Sequence, residues 1–521
     1  MRQWLIKAAT FCCVSLLGFG WAMAQDVTLT SRDGAVTISG TLLGYDGEFY
    51  KLDTPYGPLS LDGEGVDCTG VGCPDPQAFI AEFTISGSST IGSVLMPALL
   101  TTFAQNKGLD ILREVETDAR STFVMSERNS DRVRAKVHVN SNDTDAGFHD
   151  LIAGNSDVVM AMRPVRDDEV RLSITAGTGD LSKSSRVRVL ALDGMVITVA
   201  PTNPLGLISP ELAAQIFAGD ITNWAEINGV DAPIQVHSMT ANSGLAQLFE
   251  DQILSLIRKP LTIVANLHEF AADLVDAVAQ DPFAIGYSTY SELGNAEPLK
   301  ISGTCGIGVA PQTWQIKNSD YPLTSPLLVY TSHTRLPRLA RDFLGFIASR
   351  SADIAIRRAG FVDQSLDTQR LTEQGEILAN AIEKPDNDIA EIRRYLDVVR
   401  GGKKLSVSFH FKSGSTDLDV QSSGNLERLA QIIEIGGMDG KELIFVGHSD
   451  GEGDAGINQS ISNRRSNAVL RDIRRAAKSA DLSRVKLSGV GFGEVFPIAC
   501  DDSEWGKRIN RRVEVWIKEA G

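Results

Sequence analysis

Apolar runs alternate with turn-forming residues in three different rhythms along the chain, and each rhythm predicts a different architecture. Between 26 and 76 the strand candidates are short: Val27-Thr-Leu-Thr, Val36-Thr-Ile-Ser, Thr41-Leu-Leu-Gly-Tyr, Phe49-Tyr-Lys-Leu and Leu59-Ser-Leu. Turns of the Arg32-Asp-Gly, Asp46-Gly and Pro55-Tyr-Gly kind separate them. The pattern predicts a small β-barrel-like unit with no chemical motif, an interaction or spacer module that ends at Pro74-Asp75-Pro76.

From 78 to 363 strands and helices alternate, as in an α/β domain. Phe83-Thr-Ile runs into Ser86-Gly-Ser-Ser-Thr90-Ile91, and a helix follows through Leu95, Leu99 and Phe103. Val137-His-Val runs into Asn140-Ser-Asn-Asp-Thr144, then a helix from Phe148. Ile234-Gln-Val-His runs into Thr240-Ala-Asn-Ser243-Gly244, then a helix to Leu254. Each strand thus ends in a hydroxyl-rich turn that opens a helix, where unpaired N–H groups and the helix dipole favour an anion. Each turn alone reads as an ordinary N-cap; three in one domain make a shared anion site an equal reading. Residues 364–403 predict a helical linker, with helices over Leu371–Ile382 and Asp388–Val399 broken at Lys384-Pro-Asp-Asn.

The last stretch, 404–521, centres on the buried-strand run Leu443-Ile-Phe-Val, which Gly447-His-Ser-Asp450-Gly turns into a loop. A helix is expected from about Gln459 to Ala477, capped by Asn458, with Val469 and Ile473 on one face. Arg465 then lies about two turns in, within reach of Asp450 across the loop. One fixed carboxylate beside one guanidinium suits a zwitterion. From spacing alone, a weak surface ion pair is the commoner outcome.

Composition narrows the partners. The chain has 521 residues, 43% hydrophobic and 22% charged, with net charge −16. That predicts about three globular domains and argues against nucleic-acid binding, which needs a basic face. Arg2 and Lys7, the apolar stretch Ala8–Trp21 and Ala22-Met-Ala24 predict a signal peptide over 1–24, and no later run predicts a transmembrane span. Cys68 and Cys73 are expected to form a local disulfide in an oxidising compartment, whereas Cys305 and Cys500 are left open between free thiols and a tie between domains. No catalytic motif and no metal-spaced cluster of the seven histidines stands out, so no enzyme, cofactor or metal is expected.

Two resemblances sharpen these expectations. Ile85-Ser-Gly-Ser-Ser-Thr90, Ile152-Ala-Gly-Asn-Ser-Asp157 through Arg163-Pro164, Ile216-Phe-Ala-Gly-Asp-Ile-Thr-Asn-Trp224, Ala241-Asn-Ser-Gly244 and Ala284-Ile-Gly-Tyr287 resemble the periplasmic phosphate-binding proteins. That implies a two-lobed α/β periplasmic-binding-protein fold, crossed near Arg188 and Ser302, with Thr90, Ile91, Thr144, Ser243 and Gly244 as cleft ligands for a small anion. Met162, Met239 and Leu245 stand where that family's site carries an Asp, an Arg and a Thr, and Arg163 is the candidate substitute guanidinium. His237, near the cleft, reads as a structural hydrogen-bonder. Gly447-His-Ser-Asp450, Asn458-x-x-Ile-Ser462-x-x-Arg465, Gly491-Phe-Gly-Glu494 and Asn510-Arg-Arg-Val-Glu514 resemble the OmpA-like domain, an α+β fold. That implies Asp450 and Arg465 as ligands for the diaminopimelate of peptidoglycan, with any contact at Gly414 made through backbone. The combination predicts a multidomain, non-enzymatic periplasmic protein, peptidoglycan-associated near the outer membrane, with envelope proteins as a further partner class. A phosphate receptor for an ABC transporter and a phosphoester hydrolase are the alternatives.

Overall fold

The computed structural model describes residues 26–520, except 242, 384–387, 413, 414 and 416. The signal peptide read over 1–24, the Lys384-Pro-Asp-Asn break and Gly414 therefore lie outside the described residues. The chain divides into two compact units, Met1–Phe79 and Ile80–Gly521.

The first unit is an antiparallel sheet of Asp26–Ser31, Thr37–Tyr45, Phe49–Thr54, Gly57–Asp62 and Val66–Thr69, the last strand adding beside the first. Val27, Leu29, Tyr50 and Leu52 form its core. Two strand candidates of the sequence merge into Thr37–Tyr45, which passes the expected break with a register shift between Leu42 and Gly44. The Val66–Thr69 strand is only four residues long, with Val66 and Cys68 turned to the core, and is absent from the strands the sequence predicts. It holds Cys68, whose sulfur is bonded to that of Cys73. Among the described residues, no ladder joins Gly57–Asp62 to Val66–Thr69, so the sheet does not close into a barrel through those strands.

The second unit begins with a long curled sheet built on one strand, Val187–Val199, which is buried along nearly its whole length. Its first half pairs with Thr324–Thr331 and its second half with Ala284–Thr289, so a single strand belongs to both lobes. Strands Val158–Ala161, Ala81–Ser88 and Val133–Asn142 extend the first lobe; Gln235–Met239 and Asn266–His268 extend the second. The strand passes from one lobe's ladder to the other's between Gly194 and Met195, later in the chain than the expected Arg188, which pairs within the first lobe. At the expected return, Ser302 instead sits in a ladder with Gly308–Val309, and the chain rejoins the first lobe at Thr324–Thr331.

The C-terminal sheet runs in the order Thr368–Arg370, Lys403–His410, Arg512–Glu519, Lys441–Gly447 and Lys486–Gly491. Strand alternation sends Leu443 and Phe445 to one face and Ile444 and Val446 to the other. Both faces are covered, which is why Leu443–Val446 is continuously apolar. Helices Val420–Glu434 and Ala455–Ala476 cover the first face. Helices Gly375–Glu383 and Ile389–Val399 cover the second through Ala381, Ile392, Tyr395 and Val399, packed on Trp516 and Phe496. The segment read as a linker is thus a layer of this fold: the i, i+3, i+7 spacing of Ile392, Tyr395 and Val399 puts an apolar stripe against the sheet.

This layer structure is locked to the cleft domain. Cys305 is bonded to Cys500. Lys404 is fully buried, 3.0 Å from Glu514 and 3.8 Å from Asp320. Ser408 donates to Asn318 Oδ1, His410 Nε2 meets the Asn318 carbonyl at 3.0 Å, and Arg428 pairs with Asp353.

Candidate functional site

The first of two candidate sites lies where the lobes meet. Strand Ala81–Ser88 delivers Ser88, Thr90 and Ile91 to the head of the helical stretch Ile91–Asn106. Thr90 makes no side-chain cap there. Asp143 caps the Thr144–Ala153 helix through Ala146 N–H. That leaves Thr144 Oγ1 to accept from the Met162 N–H at 3.2 Å. From the second lobe, Ser243 caps the Gly244–Phe249 helix by accepting from Leu245 N–H and Ala246 N–H.

Gly244 brings the lobes together. A Cβ built there would lie 3.2 Å from Ser88 Oγ and 3.8 Å from Met162 Sδ, both on the first lobe. Ser88 is fully buried, and among the described residues its hydroxyl has no hydrogen-bond partner. Such an orphan calls for an acceptor or donor from outside the protein or for a functional reason. Nothing in the run Ser86-Gly-Ser-Ser-Thr90 sets Ser88 apart from the hydroxyls beside it. Met162, Met239 and Leu245 are all buried, an apolar background in which few polar groups set the chemistry.

The structure corrects the expectation for Arg163. Its guanidinium donates to Glu169 at 2.7 and 2.9 Å and to Asp145, and it stacks 5.2 Å from the centre of the Phe148 ring. Burial alone would lower its pKa; the hydrogen bonds it donates to Glu169 and Asp145 outweigh that and raise it. Its charge is spent inside the protein, because two carboxylates converge on it, Glu169 from six positions along the chain and Asp145 from the first turn of the Thr144–Ala153 helix. Arg166 continues the network, reaching Asp145 at 3.2 Å and, across the lobes, Asp251 at 2.7 Å. His237 Nδ1 lies 2.9 Å from His268 Nε2, a contact between neighbouring strands.

The second site is the loop after Lys441–Gly447. A Cβ on Gly447 would lie 2.2 Å from the Ser462 carbonyl, so only glycine lets the following helix seat on the strand end. That helix is Ala455–Ala476, and its N-cap is Asp454, which accepts from Ile457 N–H. Asn458 is not the cap. Its side-chain amide donates to the Glu452 carbonyl and to Glu494.

Asp450 and Arg465 are near each other but not paired. Asp450 Oδ2 accepts from Arg511 Nη1 at 2.8 Å, and its side chain is 13% exposed. Arg465 lies over the Phe411 ring at 5.4 Å and, among the described residues, forms no ion pair. Burial lowers its pKa first, Arg511 adds to this, and Asp450 opposes it, so all three charges share one neighbourhood. Arg511 lay in the Asn510-Arg-Arg-Val-Glu block and was not singled out; nothing local distinguishes it from buried Arg512 beside it. Among the described residues, no cluster of three or more His, Cys, Asp or Glu side chains could hold a metal. Nor, among them, is any helix long and apolar enough to cross a membrane.

The family model for the PBP superfamily domain matches residues 74–351. Protein SphX of Synechococcus elongatus is 26% identical over 266 residues, 48% of this chain and 77% of that protein. A phosphate-binding protein PstS of Staphylococcus aureus is 23% identical over 268 residues, covering 49% and 79%. A solved ABC-type phosphate transport receptor from Vibrio cholerae is 21% identical, with TM-score 0.42, over 54% of this chain and 99% of that one. With more than half of its length accounted for in this way, the chain belongs to the PBP superfamily.

Proposed function

We propose that this is an exported, non-enzymatic substrate-binding protein that holds a small oxyanion, phosphate or one like it, between its lobes. Ser88 carries the proposal: a fully buried hydroxyl without a partner among the described residues, facing Gly244 across the cleft. Thr90, Ile91 N–H, Thr144, Ser243 and Gly244 N–H are the accompanying ligands. Helix N-termini and hydroxyls bind an anion without a formal cation. With Met239 in place of an arginine and Arg163 consumed, the site lacks charge-assisted bonds, which are about twice as strong as neutral ones. Affinity for phosphate is therefore expected to be weak, in the high-micromolar range or above, and to fall at least tenfold in Ser88→Ala. Equilibrium dialysis with labelled phosphate checks this. Micromolar or tighter binding would favour the second reading, a working phosphate receptor for an ABC transporter, which the phosphate-binding relatives support.

We further propose that the C-terminal layer structure is an OmpA-like domain that fastens the protein to peptidoglycan in the periplasm. The shared neighbourhood of Asp450 and Arg465 supports this. Arg511 is added as the residue that orients Asp450. Calorimetry with free diaminopimelate should give binding that Arg465→Ala removes; wild-type heats in that variant would refute the assignment.

A further inference from the structure

A cavity of about 320 Å³ lies between the second lobe and the C-terminal domain. Pro210 and Leu256 contribute one wall, Phe411, Trp505, Arg508 and Arg511 the other. It adjoins the Asp450 loop through two shared side chains: Phe411 is the ring that Arg465 covers, and Arg511 is the guanidinium that holds Asp450.

The two arginines of this cavity differ in their partners. Arg511 is paired with Asp450 at 2.8 Å and lies 4.0 Å from rim residue Glu504, whose other neighbour, Lys507 at 3.7 Å, is held more closely by Glu452 at 2.7 Å. Arg508 has no such partner: its one hydrogen bond goes to the Pro322 carbonyl at 3.3 Å, and among the described residues it forms no ion pair. Arg508 is an exposed residue, and desolvation by the protein atoms around its charge lowers its pKa, with Asp419 nearby opposing the shift and Arg511 adding to it. An unpaired cation in a concave, largely apolar site is a receptor for one negative charge. Two more polar atoms in the walls are buried without partners among the described residues, the donor Trp505 Nε1 and the acceptor Gln252 Oε1.

We propose that this cavity binds the free carboxylate end of a short peptide. The terminal carboxylate would sit on Arg508, with the preceding peptide group supplying a carbonyl for Trp505 and an N–H for Gln252, and the side chains lying on Phe411 and Leu256. The pocket itself stands on these groups; that its peptide comes from the cell wall rests on the reading of the Asp450 loop proposed above. Gln252 and Leu256 sit on the continuous helical stretch Gly244–Ile257, whose first residue closes the anion cleft. A peptide in the cavity would therefore press on the element that closes the lobes.

The test is calorimetric titration of the full chain with N-acetyl-alanyl-alanine and with its C-terminal amide. The acid should bind at least tenfold more tightly than the amide. Arg508→Gln should abolish that preference, and Leu256→Trp, which fills the cavity from the other domain and leaves the guanidinium in place, should abolish binding of both. Equal affinity for acid and amide, no binding at millimolar concentrations, or wild-type binding by natively melting Arg508→Gln would overturn the proposal. Arg465→Ala separates the two readings. If it still pellets with sacculi as wild type does, while acid binding depends on Arg508, the pocket stands and the wall-binding assignment fails.

Discussion

Glu514 is the residue on which most buried charge converges. Lys404, Arg512 and the Trp516 indole N–H all reach its carboxylate, which is 2% exposed. Burial alone would raise its pKa; Lys404 and Arg512 outweigh that and hold it well below the usual carboxylate range. Glu514→Gln would strip buried Arg512 of its carboxylate partner and leave buried Lys404 with only Asp320, 3.8 Å away. It should cost roughly 3–5 kcal/mol in denaturant unfolding. His448 lies 3.8 Å from the same carboxylate, but neither ring nitrogen has a hydrogen-bond partner. Burial, aided by Arg512, pushes its pKa down to about 4. A histidine held neutral in the fold contributes fully above its unfolded pKa of about 6.5, and that contribution is lost as pH falls towards 4. The shift corresponds to about 3 kcal/mol. His448→Phe should flatten the decline in stability between pH 6.5 and 4.5, measured as melting temperature against pH; an unchanged slope would contradict this. The position of Asp450 was legible because a carboxylate sits on a glycine-rich bend after an apolar run. Arg511 as its partner was not, since one basic residue beside another gives no sign of which turns inward.

At the scale of elements, the Lys403–His410 strand shows why the domain organisation was harder to read. Its alternation of Lys404, Ser406, Ser408 and His410 with Leu405, Val407 and Phe409 has the form of a strand with one wet face. All of these residues are buried, because the polar face meets Asn318 and Asp320 of the cleft domain. A polar interface and a solvated face look alike in one dimension. The same ambiguity hid the packing of Ile389–Val399, whose stripe was visible but whose docking partner was not. The Cys305–Cys500 bond could not be read at all, since its cysteines lie 195 positions apart. Closing a loop of that length is worth up to about 5 kcal/mol in the chain-entropy model. The Cys305→Ser, Cys500→Ser variant should lose several degrees in melting temperature, and its single calorimetric transition should split into separate cleft-domain and C-terminal transitions. A single unshifted transition would show that the polar interface alone couples the domains.

For the whole molecule, the two-lobed plan was legible from strand–turn–helix repeats, because each hydroxyl turn marks a strand end facing the cleft. The contact that spans the lobes, Arg166 with Asp251, was not, since it depends on closure. Both side chains are about two-fifths exposed, so Arg166→Ala should change stability by less than about 1 kcal/mol. It should nevertheless open the cleft, seen as a larger radius of gyration in small-angle scattering without ligand. Gly244→Val acts at the same place by sterics: its Cβ meets Ser88 Oγ at 3.2 Å, so phosphate affinity should fall at least tenfold while the fold persists. The account as a whole joins this solute cleft to a wall anchor, and one measurement bears on that union directly: co-sedimentation of the purified chain with peptidoglycan sacculi containing diaminopimelate. The wild type should pellet, and Asp450→Ala and Arg465→Ala should each stay in the supernatant with unchanged circular dichroism. A double variant that pellets as the wild type does would contradict it.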